Sequence, residues 1–170
     1  MEAKKTGLTR KQHNDIIGSL PEFDSSGRLP VGIHNANWRE FKRRFGWNER
    51  RQTLIAGLRK AGDLLYRAGC RKIYIDGSFI TNRELPGDFD ACWDESGVDL
   101  NFLIRIAPEL FDMRNKCAVQ KAKFGGEFFP AMTISGSSRK TFLDFFQFDT
   151  RTQTAKGIIC IYLDAVRQPT

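Results

Sequence analysis

The chain has 170 residues, of which 41% are hydrophobic and 28% are charged, and its formal net charge is +7. That size fits one globular domain with one core. No run approaches the roughly 20 apolar residues that a membrane-spanning helix needs, and the first residues lack the apolar run of a signal peptide. We expect a soluble cytoplasmic protein without a membrane partner, whose charge attracts anionic partners.

Histidine and cysteine are too few and too scattered for several common kinds of site. His13 and His34, the two histidines, both lie in the N-terminal third, which argues against Ser-His-Asp hydrolysis and histidine-based RNA cleavage. The four cysteines stand singly, with no CxxC pair to bind zinc. We expect free thiols that are mostly buried.

The N-terminal part is predicted to be an arm followed by an ordered loop. Residues 1–20 are polar and basic with one short apolar patch, which is typical of a flexible or partner-binding segment. Residues 21–30 are rich in turn formers and predict a loop that wraps the domain. The expected organisation is an arm over residues 1–20 and a single domain over residues 21–170.

Two helices are predicted next. A short one should cover residues 37–45, because Asn37 can cap it and aromatic residues recur every three or four positions. A longer one should cover residues 48–68, because Asn48 can cap its start and Gly69 stands where helices commonly end.

The rest of the chain alternates strand and helix patterns. Strands are predicted over residues 72–76, 88–93, 127–131 and 157–163. Helices are predicted from about residue 109 or 114 to residue 123, and over residues 139–148. This order predicts an α/β (α+β) fold in which helices flank a small mixed β-sheet.

The most informative segment covers residues 75–90, where a strand leads to a Gly-Ser turn and, after nine intervening residues, to Asp-x-Asp. Alternate residues of a strand share a face, so Asp88 and Asp90 present two carboxylates whose repulsion cations relieve. Such oxygen ligands suit Mg²⁺ (or Mn²⁺) together with substrate phosphates. Gly77 permits a sharp turn close to a phosphate, to which the Ser78 hydroxyl can donate. With two metal ions, no histidine base is required.

These motifs resemble the signature of the DNA polymerase β-type nucleotidyltransferase superfamily. The wider pattern in residues 29–34, 76–81, 86–90 and 156–157 is similar to a bacterial branch of minimal nucleotidyltransferase-like proteins. Some relatives in the superfamily belong to toxin–antitoxin or phage-defence loci. The resemblance implies a polymerase β-like nucleotidyltransferase fold that binds a nucleoside triphosphate, such as ATP, with Mg²⁺ (or Mn²⁺) as cofactor.

The resemblance also implies a third carboxylate on a neighbouring strand, which completes the metal site and acts as a base. We match Glu127 to it, although aspartate is the usual residue and glutamate reaches one methylene further. Asp99, in a predicted loop, and Asp144, among helical phenylalanines, are the alternatives. The predicted catalytic and metal-binding residues are therefore Asp88, Asp90 and Glu127.

Further cations are candidates for contacts with the triphosphate if their loops fold back over the site. Together with Gly77 and Ser78, the predicted nucleotide-binding residues are Arg83, Lys140 and Lys156. The competing interpretation is that these three are ordinary solvated surface cations.

Two functions are compatible with these motifs. The first is transfer of a nucleoside monophosphate from a nucleoside triphosphate to a hydroxyl of RNA, such as tRNA, or of a co-encoded protein. The relatives include toxins that extend tRNA ends and antitoxins that nucleotidylate their toxin, and the basic charge favours an RNA acceptor. The alternative is a catalytically weakened nucleotidyltransferase-fold binding module that serves as an antitoxin or nucleic-acid-binding subunit.

Overall fold

The structure is a computed structural model that describes residues 20–163. Its strands are β1 (Gly32–Ala36), β2 (Lys72–Asp76), β3 (Phe89–Trp93), β4 (Gly126–Pro130), β5 (Phe148–Asp149), β6 (Thr154–Ala155) and β7 (Gly157–Tyr162). Its α-helices are α1 (Trp38–Phe45), α2 (Glu49–Arg67), α3 (Leu100–Ile106), α4 (Arg114–Phe124) and α5 (Phe142–Phe146). Short 3₁₀ turns cover Ser78–Ile80, Pro108–Phe111 and Gly136–Ser138.

Five strands form the main sheet, in the order β1, β7, β2, β3, β4, while β5 and β6 form a separate hairpin. β1 is parallel to β7 and β3 is parallel to β4, whereas β2 is antiparallel to both β7 and β3. The sheet is therefore mixed, and the helices that flank it confirm the predicted α/β (α+β) class.

Helices α1 and α2 begin where the sequence places asparagine caps. The Asn37 side chain accepts a hydrogen bond from the Glu40 amide, and the Asn48 side chain accepts one from the Arg51 amide. The apolar stripes of both helices pack against one face of the sheet. This main core includes Phe41, Phe45, Leu54, Leu58, Ile73, Ile75, Ala91 and Trp93.

The opposite face of the sheet is covered by the short helix α5. Cys92 and Phe129 alternate with the core-facing residues of their strands and so lie on this second face. The Phe142 ring of α5 stacks on the Phe129 ring, with 4.0 Å between their centroids. This cluster includes none of the acidic residues at positions 76, 90 and 127, which come next on the same face.

A buried arginine holds the loop that joins β2 to β3. Arg51 is 0% exposed, and its guanidinium packs on the Trp47 ring, 3.6 Å from the centroid. It donates hydrogen bonds to four carbonyls, those of Phe45, Phe79, Thr81 and Arg83. The neighbouring Arg50 donates to the carbonyls of residues 86 and 87. The start of α2 thus fixes the path of the chain from the Gly-Ser turn to Asp88.

The sequence does not predict β1 or the β5–β6 hairpin. β1 carries the polar residues His34 and Asn35 and becomes a strand by parallel pairing with β7, near the far end of the described chain. β5 and β6 have two residues each, which is too short for any periodicity to show.

The predicted helices in the second half differ in extent from those in the structure. The helix predicted to start at residue 109 or 114 begins at Arg114, and α3 and a 3₁₀ turn precede it. Residues 115–117 have φ values of 50° to 55°, so the regular right-handed part of α4 begins after Cys117. The helix predicted over residues 139–148 is limited to α5. Its start is fixed because the Thr141 side chain accepts a hydrogen bond from the Asp144 amide, while Arg139 has a φ of 58°.

The N-terminal loop and the cysteines have the predicted character. The loop over residues 21–30 is ordered, since the Asp24 carboxylate accepts hydrogen bonds from the amides of Ser26 and Arg28. The four cysteines are free and buried, as predicted. No helix within residues 20–163 has the length and apolar character to span a membrane. The predicted arm lies outside the described residues, except for Leu20, which joins the main core.

Candidate active site

Three carboxylates stand side by side across the sheet. Asp76, the last residue of β2, is in register with Asp90 of β3, and Asp90 is in register with Glu127 of β4. Residues paired in this way point to the same face of a sheet. Asp88 precedes β3 and joins this set through Lys121, which pairs with both Asp88 and Glu127. We call Asp76, Asp88, Asp90 and Glu127 the carboxylate row.

The Gly-Ser turn lies against the carboxylate row. Gly77 has a φ of +90°, a conformation that residues with a side chain rarely adopt. A Cβ atom at this position would lie 2.8 Å from Oδ2 of Asp90. Ser78 opens the 3₁₀ turn that follows, and its hydroxyl has no hydrogen-bond partner among the described residues. The structure therefore brings Gly77 and Ser78 together with the predicted Asp-x-Asp pair.

Two lysines form ion pairs with the carboxylate row. Lys121 of α4 lies between two carboxylates, with Nζ 3.1 Å from Asp88 and 2.7 Å from Glu127. The hydrogen bonds to these two groups, the one to Glu127 first, raise the pKa of Lys121. Lys156, just before β7, has its Nζ 2.8 Å from Asp76.

Asp90, in the middle of the carboxylate row, is different. Residues 20–163 supply neither a hydrogen bond nor an ion pair to its carboxylate. Burial, followed by the negative charges of the other three carboxylates, raises the pKa of Asp90 to about 7. Burial likewise raises the pKa of Asp76, against the opposing charge of Lys156. A carboxylate in such surroundings is stabilised by a proton or by a bound cation.

The carboxylate row has the donor chemistry that Mg²⁺ or Mn²⁺ prefers. Among the described residues, however, no three His, Cys, Asp or Glu side chains are already arranged around one point as metal ligands. A physical reason is visible at Lys121, because its ammonium draws Asp88 and Glu127 to itself. The residues fit a divalent cation once this lysine gives up at least one of its carboxylates.

The outer members of the row border solvent. The side chains of Glu127 and Asp88 are 19% and 41% exposed. A separate surface depression of about 770 Å³ is lined by Pro108, Glu109, Phe111, Asp112, Met113 and Arg114. No member of the carboxylate row lines that depression, so the two are separate features of the surface.

The structure separates the three cations that were predicted to contact a triphosphate. Lys156 lies at the row but is already paired there. Arg83 accepts hydrogen bonds from Arg51 through its carbonyl, while its side chain is exposed. Lys140 has its Nζ 3.8 Å from the centroid of the Phe148 ring. Neither Arg83 nor Lys140 forms an ion pair with the carboxylate row among the described residues, which favours the surface-cation interpretation for both.

The two alternatives to Glu127 have other contacts. The Asp99 carboxylate caps α3 by accepting a hydrogen bond of 2.9 Å from the Phe102 amide. The Asp144 carboxylate accepts one of 2.8 Å from the Thr141 hydroxyl. Position in the sheet therefore favours Glu127 as the third carboxylate, while its role in metal binding stays a prediction.

Sequence reasoning misses two residues of this site, Asp76 and Lys121. Asp76 had a detectable signal, because it ends a predicted strand immediately before Gly77. Lys121 had none, since its place depends on how α4 lies over the start of β4.

The carboxylate row and both lysines lie within a segment that is characteristic of one protein family. The profile of that family matches residues 21–162. The chain belongs to DUF6932, a family of unknown function. No curated protein and no solved structure matches the chain. Membership of DUF6932 thus covers nearly all of the described fold but assigns no activity to it.

Proposed function

We propose that the chain is a Mg²⁺-dependent nucleotidyltransferase, which moves a nucleoside monophosphate from a nucleoside triphosphate to a hydroxyl of RNA, such as tRNA, or of a protein. The observation that carries this proposal is the Asp90 carboxylate, which lies among three like charges and against the Gly77 turn. Holding such a group in its charged form costs free energy of folding, and a bound cation offsets that cost. The polymerase β-like fold that the sequence resembles is part of this proposal.

Each element of the site has a part in such a reaction. A divalent cation bound by Asp88 and Asp90 would polarise the α-phosphate and neutralise charge on the departing pyrophosphate. Ser78 donates a hydrogen bond from its hydroxyl to a phosphate oxygen. Gly77 presents no side chain on the side of the turn that faces Asp90, which leaves room at the row.

Glu127 is the residue we assign as the base. It is in register with Asp90 at the outer end of the row and partly exposed, so an acceptor hydroxyl can reach it from solvent. The hydroxyl oxygen attacks the α-phosphorus while its proton passes to the Glu127 carboxylate. The bond from the α-phosphorus to the bridging oxygen then breaks, and pyrophosphate leaves with the electron pair. The net charge of +7 favours RNA as the acceptor.

Two observations favour a second function, a binding module whose catalysis has weakened. Lys121 and Lys156 neutralise part of the row, and the described residues hold no ready set of metal ligands. If these lysines are permanent partners of the carboxylates, the fold serves to bind RNA or a co-encoded protein, as an antitoxin or nucleic-acid-binding subunit would.

A labelling experiment distinguishes the two functions. The purified protein is incubated with Mg²⁺, each α-³²P-labelled nucleoside triphosphate, and either total tRNA or the co-encoded protein. We expect label to reach the acceptor and to be lost in the variant Asp88→Ala plus Asp90→Ala. Asp144→Ala, which removes a carboxylate outside the row, is the matched control and should keep the activity.

The transferase and the binding module predict different results. Label transfer that survives in the double variant overturns the proposed site. No transfer by the wild-type protein, together with tight binding of tRNA or of the co-encoded protein, favours the binding module.

A further inference from the structure

Lys121 lies between two members of the carboxylate row, Asp88 and Glu127. Its ammonium bridges Asp88, which precedes β3, and Glu127, which lies on β4. The side chain is 36% exposed, so its outer part borders solvent. It is therefore a bridging counter-ion at the border between the row and solvent.

The charges around Lys121 do not balance. The row holds four carboxylates and pairs with two ammonium groups, Lys121 and Lys156. Two negative charges are left over, and Asp90 is the member of the row without an ion pair among the described residues. An ammonium on a flexible four-carbon stem behaves as a mobile point charge, so it can follow a change in the charges around it.

We propose that Lys121 is an exchangeable counter-ion: it holds Asp88 and Glu127 in the free protein, releases them to a divalent cation, and then binds the triphosphate. This inference rests on the proposed function. When a metal–triphosphate complex arrives, the cation takes over the carboxylates and the phosphates supply new negative charge beside the released ammonium. Lys121 is thus assigned a triphosphate contact of the kind that the sequence predicted for Arg83, Lys140 and Lys156.

A matched pair of variants tests the proposal without any measurement of catalysis. Lys121→Met keeps the apolar stem and removes the charge. Lys123→Met makes the same change two residues later in α4, where the lysine pairs with Glu109 at 2.6 Å outside the row. Binding of Mn²⁺ alone is measured by electron paramagnetic resonance. Binding of inorganic tripolyphosphate in the presence of Mg²⁺ is measured by calorimetry. This probe has no nucleobase, so the result does not depend on which nucleotide the protein prefers.

The expected changes have opposite signs. Lys121→Met should bind Mn²⁺ roughly tenfold more tightly, because a competing cation is gone, and should bind Mg²⁺–tripolyphosphate roughly tenfold more weakly, because a phosphate contact is gone. Lys123→Met should change neither affinity. If circular dichroism shows that Lys121→Met does not fold, Lys121→Gln takes its place with the same expected changes.

The results also distinguish this inference from the proposed function. If the wild-type protein binds both probes and the Lys121 variants shift both affinities in the same direction, or shift neither, the exchange is overturned and the nucleotidyltransferase proposal stands. If neither the wild-type protein nor the variants bind Mn²⁺ or Mg²⁺–tripolyphosphate, both are overturned.

Discussion

Arg51 and Asp90 are charged side chains with restricted access to water, and their surroundings differ. Arg51 is fully buried, yet its guanidinium donates to four carbonyls and packs on the Trp47 ring. Burial lowers the pKa of Arg51 to about 10, with Glu84 opposing the shift. Asp90 has no comparable partners among residues 20–163, and burial and three like charges raise its pKa to about 7.

This difference separates a charge with a structural role from one that we propose binds a ligand. A buried charge whose hydrogen-bonding capacity is filled specifies one path of the chain, and Arg51 does so for the loop from Phe79 to Arg83. A buried charge left without partners costs stability and is typical of sites where a ligand supplies the missing partner. The loop that Arg51 fixes is the one that ends at Asp88, so the first region positions the second.

Removing the structural charge should have the largest effect. We expect Arg51→Met to lower the free energy of unfolding by about 3 to 5 kcal/mol, because buried carbonyls lose their donors. Arg51→Lys should also be destabilised, since an ammonium cannot reproduce the planar set of donors. Urea denaturation followed by circular dichroism measures both. Arg43→Met, on the exposed side of α1, is the control and should change stability by less than about 0.5 kcal/mol. An Arg51→Met protein as stable as wild type would show that Arg51 has no structural role in holding the loop.

Removing the unpartnered charge of Asp90 should raise the stability of the folded protein. We expect Asp90→Asn to be more stable than wild type by about 2 kcal/mol at pH 8 in EDTA. Well below pH 3.8, the carboxyl is protonated in both the folded and unfolded chains, so the variant gains little. As the pH rises towards 7, the unfolded chain ionises first, and the wild-type protein loses stability until the folded carboxyl also ionises.

Denaturation curves between pH 4 and pH 8 check this prediction. Asp88→Asn is the matched control, because Asp88 is paired with Lys121 and its loss should not stabilise the protein. A stability difference between Asp90→Asn and wild type that does not grow with pH would contradict the assignment of Asp90 as an unpartnered charge.

The sequence predicts the features that depend on residues close together along the chain. The caps Asn37 and Asn48 and the motif of Gly77 with Asp88 and Asp90 are local patterns, and the structure has them at the predicted positions. What could not be predicted depends on contacts between distant segments. β1 exists because β7 pairs with it, and Lys121 reaches the row because α4 lies over β4. Neither contact is indicated by a periodic pattern in the sequence of its own segment.

The turn at Gly77 should be more sensitive to substitution than its partial exposure suggests. We expect Gly77→Ala to lower the free energy of unfolding by about 1 to 2 kcal/mol, because its φ of +90° is strained for alanine and the new Cβ would crowd Asp90. Gly87→Ala, at the other end of the same loop, has nothing within 4 Å of its Cβ position and should be neutral. Thermal denaturation of the two variants compares them directly. Equal melting temperatures would show that the turn does not depend on the close approach to Asp90.

Adding a divalent cation should change the stability least. It is also the most direct test of whether Asp90 binds a cation. A cation that binds only the folded chain stabilises it by about 1 kcal/mol when its free concentration is about five times its dissociation constant. We expect Mg²⁺ to raise the melting temperature of the wild-type protein relative to NaCl of equal ionic strength. The rise should disappear in Asp90→Asn, which needs no cation, and persist in Arg43→Met. If Mg²⁺ stabilised Asp90→Asn as much as wild type, the cation would be binding elsewhere on the chain, and the raised pKa of Asp90 would reflect burial rather than a ligand site.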